Sequence, residues 1–223
     1  MQERKASMSK KNDLSTLFKG YKQQYEKLQV AIKEVRSSTL LTEEGKTQEI
    51  QNLIENFTPT VNQYHEAAAS ILDDGIQALS SQWKTNSMSK LTDVNYQVGL
   101  SNVLKMIESG GISRKEDMQA IIDTYRGDSM AISAIRNVIP EQASDKDNAV
   151  EWSSVLPKDN RDYNMKLLEQ LKGNVDNYMN VSRLNDHAAG IEDSFNDASV
   201  SLSMESMSEF VEGRFTDDFS LIE

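Results

Sequence analysis

Apolar residues along the first eighty positions recur on an alternating four-and-three spacing. Leu14, Phe18, Tyr21, Tyr25, Leu28, Ile32 and Val35 keep it without a break, with Lys, Gln and Glu filling the positions between. A stripe of this period lies on one face of a helix and needs a partner to cover it. It predicts a helix over 14–37 with Asp13 as N-cap, weakened locally by Gly20 by about 1 kcal/mol. Ser37-Ser38-Thr39 breaks the pattern. Thr42 then caps a second helix, and Glu43 and Glu44 place negative charge in its first turn, where the helix dipole favours it. The stripe resumes at Ile50, Ile54, Phe57, Val61, Tyr64, Ala68 and Ile71. Two striped helices joined by a short loop predict an αα-hairpin, packed antiparallel on itself or on a neighbouring chain. Pro59 either opens a new helix capped by Thr58 or kinks a continuous one, and the unbroken register favours the kink. Asp73-Asp74-Gly75 is a second weak point, past which Ile76 and Leu79 carry the helix to about residue 82.

Residues 84–92 are polar and are expected to form a linker. A helix over 94–108 follows, with Leu100, Val103, Leu104 and Ile107 on one face and Gly110-Gly111 as its C-terminal stop. Ser113 and Glu116 match a capping box for a helix carrying Met118, Ile121, Ile122 and Tyr125. Gly127 ends it, and Asp128 caps another that carries Ala131, Ile135 and Val138 up to Pro140. Residues 140–162 read as an exposed loop in which Trp152, Val155 and Leu156 dock back. A longer helix is expected over 162–184, on Leu168, Leu171, Val175 and Tyr178, and another over about 190–212. The last ten residues are expected to be a mobile tail or a short docking motif. The fold class is therefore all-α: an elongated N-terminal αα-hairpin or coiled coil, then a small helical bundle and an acidic helical tail. In residues, the expected organisation is a basic arm over 1–13, the hairpin over 14–83, a three-helix bundle over 84–142, a loop and long helix over 143–185, and the acidic, partly helical tail over 186–223.

Charge is distributed unevenly. Residues 1–36 hold nine Lys/Arg and four Asp/Glu, whereas 186–223 hold one and ten. Such asymmetry steers head-to-tail contacts between chains or draws a basic partner to the tail, unless both ends are simply solvated. The net charge of −11 argues against nucleic acid as the main ligand, since phosphate binding needs a basic surface. No cysteine is present, which excludes disulfides, thiolate metal sites and cysteine nucleophiles and is compatible with a reducing compartment. No apolar run approaches the roughly 20 residues that span a bilayer. The charged N-terminus lacks an apolar h-region, so no signal peptide is expected there; Met8 is an alternative start.

Catalytic motifs are not found. His65 and His187 each lack the Glu three residues earlier that a di-iron bundle uses, and His-Glu-x-x-His does not occur. A solvated or hydrogen-bonded structural role is expected for both. The adjacent acids Asp73-Asp74 and Asp217-Asp218 point different ways on a helix and make poor acid–base pairs. Arg126-Gly127-Asp128 spells an adhesion tripeptide, but a helix stop and an N-cap account for it. Asn180-Val181-Ser182 fits a glycosylation sequon, which needs secretion. Tyr21, Tyr25 and Tyr64 are expected to pack between helices. Met204, Met207, Phe210 and Val211 form an apolar face in the acidic tail, either an adaptable docking helix or a helix capping the core.

Leu40-Leu41-Thr42-Glu43-Glu44-Gly45-Lys46 opens the second helix after a heptad-rich first one. Over roughly residues 14–80 this arrangement resembles small helical proteins of the head-and-tail structural modules of phages and prophages of Gram-positive bacteria. The resemblance implies virion assembly without an active site, and carries over no functional residue. The expected function is non-enzymatic: a structural or assembly protein that self-associates through 14–82 and engages a protein partner through 190–223, with no cofactor, catalytic residue or metal ligand. The expected location is the host-cell cytoplasm or the virion. The alternative is an acidic regulatory or inhibitory module that occupies a basic surface. The expected interaction residues are Leu14, Phe18, Tyr21, Tyr25, Leu28, Ile32, Val35, Ile54, Phe57, Val61 and Tyr64 on the hairpin, and the four tail residues Met204, Met207, Phe210 and Val211.

Overall fold

A computed structural model describes residues 9–139, 155–182, 184 and 195–222. His187, Trp152 and the first part of the expected tail lie outside them. The described residues are all-α: α1 Lys10–Ser37, α2 Glu43–Leu91, α3 Val94–Glu108, α4 Lys115–Tyr125, α5 Ser129–Val138, α6 Arg161–Tyr178 and α7 Phe195–Arg214. They fall into two compact units, Met1–Leu79 with Asp162–Glu223, and Ser80–Arg161.

In the first unit α1 begins earlier than Asp13 predicts. The Ser9 hydroxyl accepts the Asn12 amide at 3.2 Å and is the N-cap, while Asp13 sits in the first turn, where its charge still suits the dipole. Thr42 does cap α2, its Oγ1 accepting the Gly45 amide at 3.1 Å. α2 runs unbroken through Pro59. Pro59 has no amide hydrogen to donate to the Glu55 carbonyl, and one residue earlier the Thr58 hydroxyl donates to the Ile54 carbonyl at 3.0 Å. Nor does α2 stop near residue 82. It continues to Leu91, so residues 84–91 are helix rather than linker. Polarity is no helix breaker, and this stretch contains neither Pro nor Gly.

The four helices of this unit alternate in direction. Tyr21 of α1 stacks near Phe57 and Tyr64 of α2, with ring centroids 6.3 and 5.6 Å apart, and the Lys10 ammonium reaches the Asp74 carbonyl at 3.0 Å. α2 and α6 meet at Asp73–Lys172 and His65–Asp176, 2.5 and 2.8 Å apart. α7 runs antiparallel to α1, as Lys22–Glu205 and Lys19–Glu212 show at 2.8 and 2.6 Å. The result is an up-down-up-down bundle. Its core holds Leu14, Phe18 and Tyr21 of α1, Ile54, Val61 and Leu72 of α2, Leu168 and Val175 of α6, and Met204 and Val211 of α7. Along α2 the buried line passes through Leu72 rather than Ile71, because a stripe at 3.6 residues per turn drifts off a strict heptad. α1 and α7 approach each other most closely, and two small side chains, Ser15 and Ser208, face each other there at 2.8 Å.

The second unit packs α3, α4 and α5 around Ile107, Met118, Ile122 and Ile135, with Val155 docked against them. Gly110 (φ 71°) and Gly111 close α3. Their amides donate to the Ile107 and Met106 carbonyls at 3.0 and 2.8 Å, the paired bonds of a Schellman stop. The Ser113 capping box is not formed. Arg114 is the N-cap residue, with no side-chain capping bond, and its guanidinium forks onto Asp117 with two 3.0 Å bonds. That pair is solvent-exposed on both sides and adds little of its own.

Candidate interaction site

The stripe that predicts the hairpin divides into two parts. Leu14, Phe18, Tyr21, Tyr25 and Leu28 are buried, as are Ile54 and Val61, whereas Ile32, Val35, Phe57 and Tyr64 are half-buried. Burial pushes the Tyr21 hydroxyl pKa up, with the neighbouring Tyr25 adding to the shift. Most of this stripe is thus consumed by packing within the chain.

Beyond Leu28 the cover thins. Leu40 at the loop is 94% exposed, Val30 is 58% exposed and Leu41 is also exposed. A small open pocket begins at the same end, walled by Tyr25, Leu28, Ile32, Ile54 and Leu184, with Gln29 and Arg36 contributing polar groups. Three of the five apolar walls come from α1 and one from α2, so the pocket exists only because the two helices lie together. Apolar walls with few polar groups suit an inserted aliphatic or aromatic side chain.

The tail residues do not form a docking face. Met204, Met207 and Val211 are buried in the first unit, and Phe210 is half-buried, its ring edge-on to Phe215 at 5.7 Å. Their apolar face covers α1. Nor are the last residues a tail. Phe215 bridges to Leu221, and the Thr216 amide donates to the Ser220 carbonyl at 2.8 Å. This hook buries Phe215 and Phe219 completely.

Part of the charge asymmetry is met inside the chain. Lys11, Lys19 and Lys22 of α1 pair with Asp217, Glu212 and Glu205 at 3.7, 2.6 and 2.8 Å. Lys19, with help from Ser15, holds the Glu212 carboxyl below its ordinary range, and Glu205 raises the Lys22 ammonium. Ser15 donates to Glu212 at 2.5 Å, so in the Ser15–Ser208 pair Ser208 is the donor.

The remaining motifs are explained locally. His65 hydrogen-bonds Asp176. Asp128 is 3% exposed and caps α5, so the adhesion tripeptide is not presented. The Asn180 side-chain oxygen accepts the Ser182 amide at 2.8 Å. Among the described residues no group of three or more His, Asp or Glu is placed to hold a metal ion, and no helix is long and apolar enough to cross a membrane.

Two residues carry more than their sequence signal. Gly75, marked only as a weak point, is buried beneath the Phe219 ring. Asp128 receives the Tyr96 hydroxyl as well as the α5 amides. Both pairings join residues far apart in the chain, and no local pattern marks them. Compared with protein-family models, with curated proteins and with solved structures, the chain matches none.

Proposed function

We propose that this chain is a non-enzymatic structural or assembly protein that associates with other copies of itself through the open end of its α1–α2 hairpin, in the manner of phage head-and-tail modules. The observation that carries the reading is Leu40, 94% exposed at the hairpin loop, with a pocket walled by Ile32, Ile54 and Leu184 further along the same two helices. A leucine fully in water contributes nothing to its own fold, and burying it against another chain yields about 1.5–3 kcal/mol. The alternative role, an acidic module on a basic surface, has less to offer, because Glu205 and Glu212 of the tail already face lysines of α1.

Sedimentation of the purified full chain over a wide concentration range tests the proposal. The expected result is a species larger than the monomer that Leu40→Glu and Ile32→Glu return to the monomer with helicity intact. A wild-type chain that stays monomeric at every concentration overturns it.

A further inference from the structure

The C-terminal hook and its seat on α2 fit each other as a plug fits a socket. A Cβ built on Gly75 would lie 2.6 Å from Cε2 of Phe219 and closer still to Cδ2. Any side chain at position 75 would therefore expel the ring. Gly75 lies mid-helix, where glycine is the worst ordinary choice, so its position makes sense as the floor of a socket for Phe219. Phe219 itself has φ 65°, a left-handed conformation that bulky residues rarely adopt and that persists only when the surroundings enforce it.

The hook is also self-contained. Among the described residues its backbone bonds join Phe215 to Val211, Thr216 to Ser220, Phe219 to Thr216 and Ile222 to Arg214. The Asp218 carboxylate accepts the Thr216 hydroxyl and the Ser220 amide. Among the described residues its polar link to elements other than α7 is Lys11–Asp217, at 3.7 Å, with the carboxylate in solvent. It is fastened to the bundle by its rings and keeps its shape by its own bonds.

We infer that residues 215–222 are a releasable latch: the Phe219 ring in the Gly75 socket holds α7 onto α1, and withdrawing the ring frees α7 before the rest of the unit unfolds. Segments that open locally are those with few ties outside themselves. Across the α1–α7 seam the polar ties among the described residues are the Ser15–Ser208 pair, the Ser15–Glu212 bond and ion pairs at the rim, the last individually weak. α7 is therefore held chiefly by its apolar face, Met204, Met207 and Val211, and by the hook at its end. Release uncovers the α1 face that carries Leu14 and Phe18 with its flanking Lys19 and Lys22, a surface complementary to an acidic amphipathic helix such as α7 of a second copy.

Hydrogen exchange followed by mass spectrometry on the full chain tests the latch, comparing wild type with F219A, G75A and G75A/F219A. The expected result is exchange of the α7 amides roughly tenfold or more faster in each single variant, with α6 and the α3–α5 unit at wild-type rates. Once the ring is gone, G75A should add nothing further. F219L and D218A give milder releases, read the same way where F219A fails to fold. The latch is overturned if α7 exchange is unchanged, if it rises only together with α1, α2 and α6, or if G75A has the same effect with and without the ring.

Discussion

The Tyr96 hydroxyl donates a 2.7 Å hydrogen bond to Oδ2 of Asp128, while Oδ1 of the same carboxylate accepts the Met130 and Ala131 amides at 3.0 and 3.3 Å. One buried acid thus starts α5 and ties it to α3. Asp128→Ala removes an N-cap and leaves a phenol without its acceptor, so it should cost about 2–4 kcal/mol. Tyr96→Phe leaves the cap in place and should cost about 1–2 kcal/mol. Asp128→Asn retains both a capping oxygen and a hydrogen-bonding group toward Tyr96, and should be the mildest. Urea unfolding of the three variants checks the order; Tyr96→Phe equal to Asp128→Ala would mean that the cap contributes little.

Asp128 also shows how much of the architecture is legible in the residues. Its position after Gly127 and before an apolar period predicts the α5 cap, and the structure has it. Gly110-Gly111 and Thr42 are read correctly for the same reason: each acts on backbone groups within a few residues. The heptad stripe marks the inward face of α1 and α2 because burial follows period. It does not say which element covers that face. The cover over Ser15 is α7, some 190 residues away, and nothing in the spacing of either helix names the other. Charge came nearest, since the basic start and acidic end do meet, but within one chain. The socket at Gly75 is invisible for a simpler reason: a glycine in a helix looks like a defect until the ring above it is seen.

The phenols provide a pH signature. Burial raises the Tyr21 hydroxyl, and burial together with the hydrogen bond to Asp128 raises Tyr96. A folded pKa above the unfolded value of about 10 means that the unfolded chain ionises first. The contribution to stability is complete below about pH 10 and is lost as the pH climbs through the folded values. Stability measured against pH should be level up to about 10 and then decline. Phenolate absorbance of the folded chain should lag that of the chain in urea. Tyr21→Phe and Tyr96→Phe should each shorten the lag, and a folded titration matching the unfolded one removes the assignment.

The Ser15–Ser208–Glu212 cluster makes a prediction in which two changes are milder than one. Ser15 is 3% and Ser208 1% exposed. Ser15→Ala alone strands the Ser208 hydroxyl in the α1–α7 seam and should cost about 1–3 kcal/mol. Ser15→Ala with Ser208→Ala removes both polar groups and leaves small residues that keep the close approach, so the double variant should recover much of that loss. A double-mutant cycle by urea unfolding measures the coupling, and additive losses would show that the hydroxyls do not depend on each other.

Acid should act on the same seam through Glu212. Lys19 and Ser15 hold its folded pKa below the ordinary carboxylate value, so its contribution is present above the unfolded pKa of about 4.3 and disappears as the pH falls through the lower, folded value. Below that point Ser15 loses its charged acceptor and Lys19 its partner, and the α1–α7 contact should loosen. Because Glu212 is largely in solvent, salt should mute the effect. The check is the acid limb of the stability curve in wild type and Glu212→Gln, at low and high salt. Wild type should lose more stability than Glu212→Gln between about pH 5 and 3 at low salt, and the two curves should draw together at high salt. Parallel curves at low salt would place the acid sensitivity of this unit elsewhere, with Asp218 in the hook the next carboxylate to replace, since the Thr216 hydroxyl holds its pKa down as well.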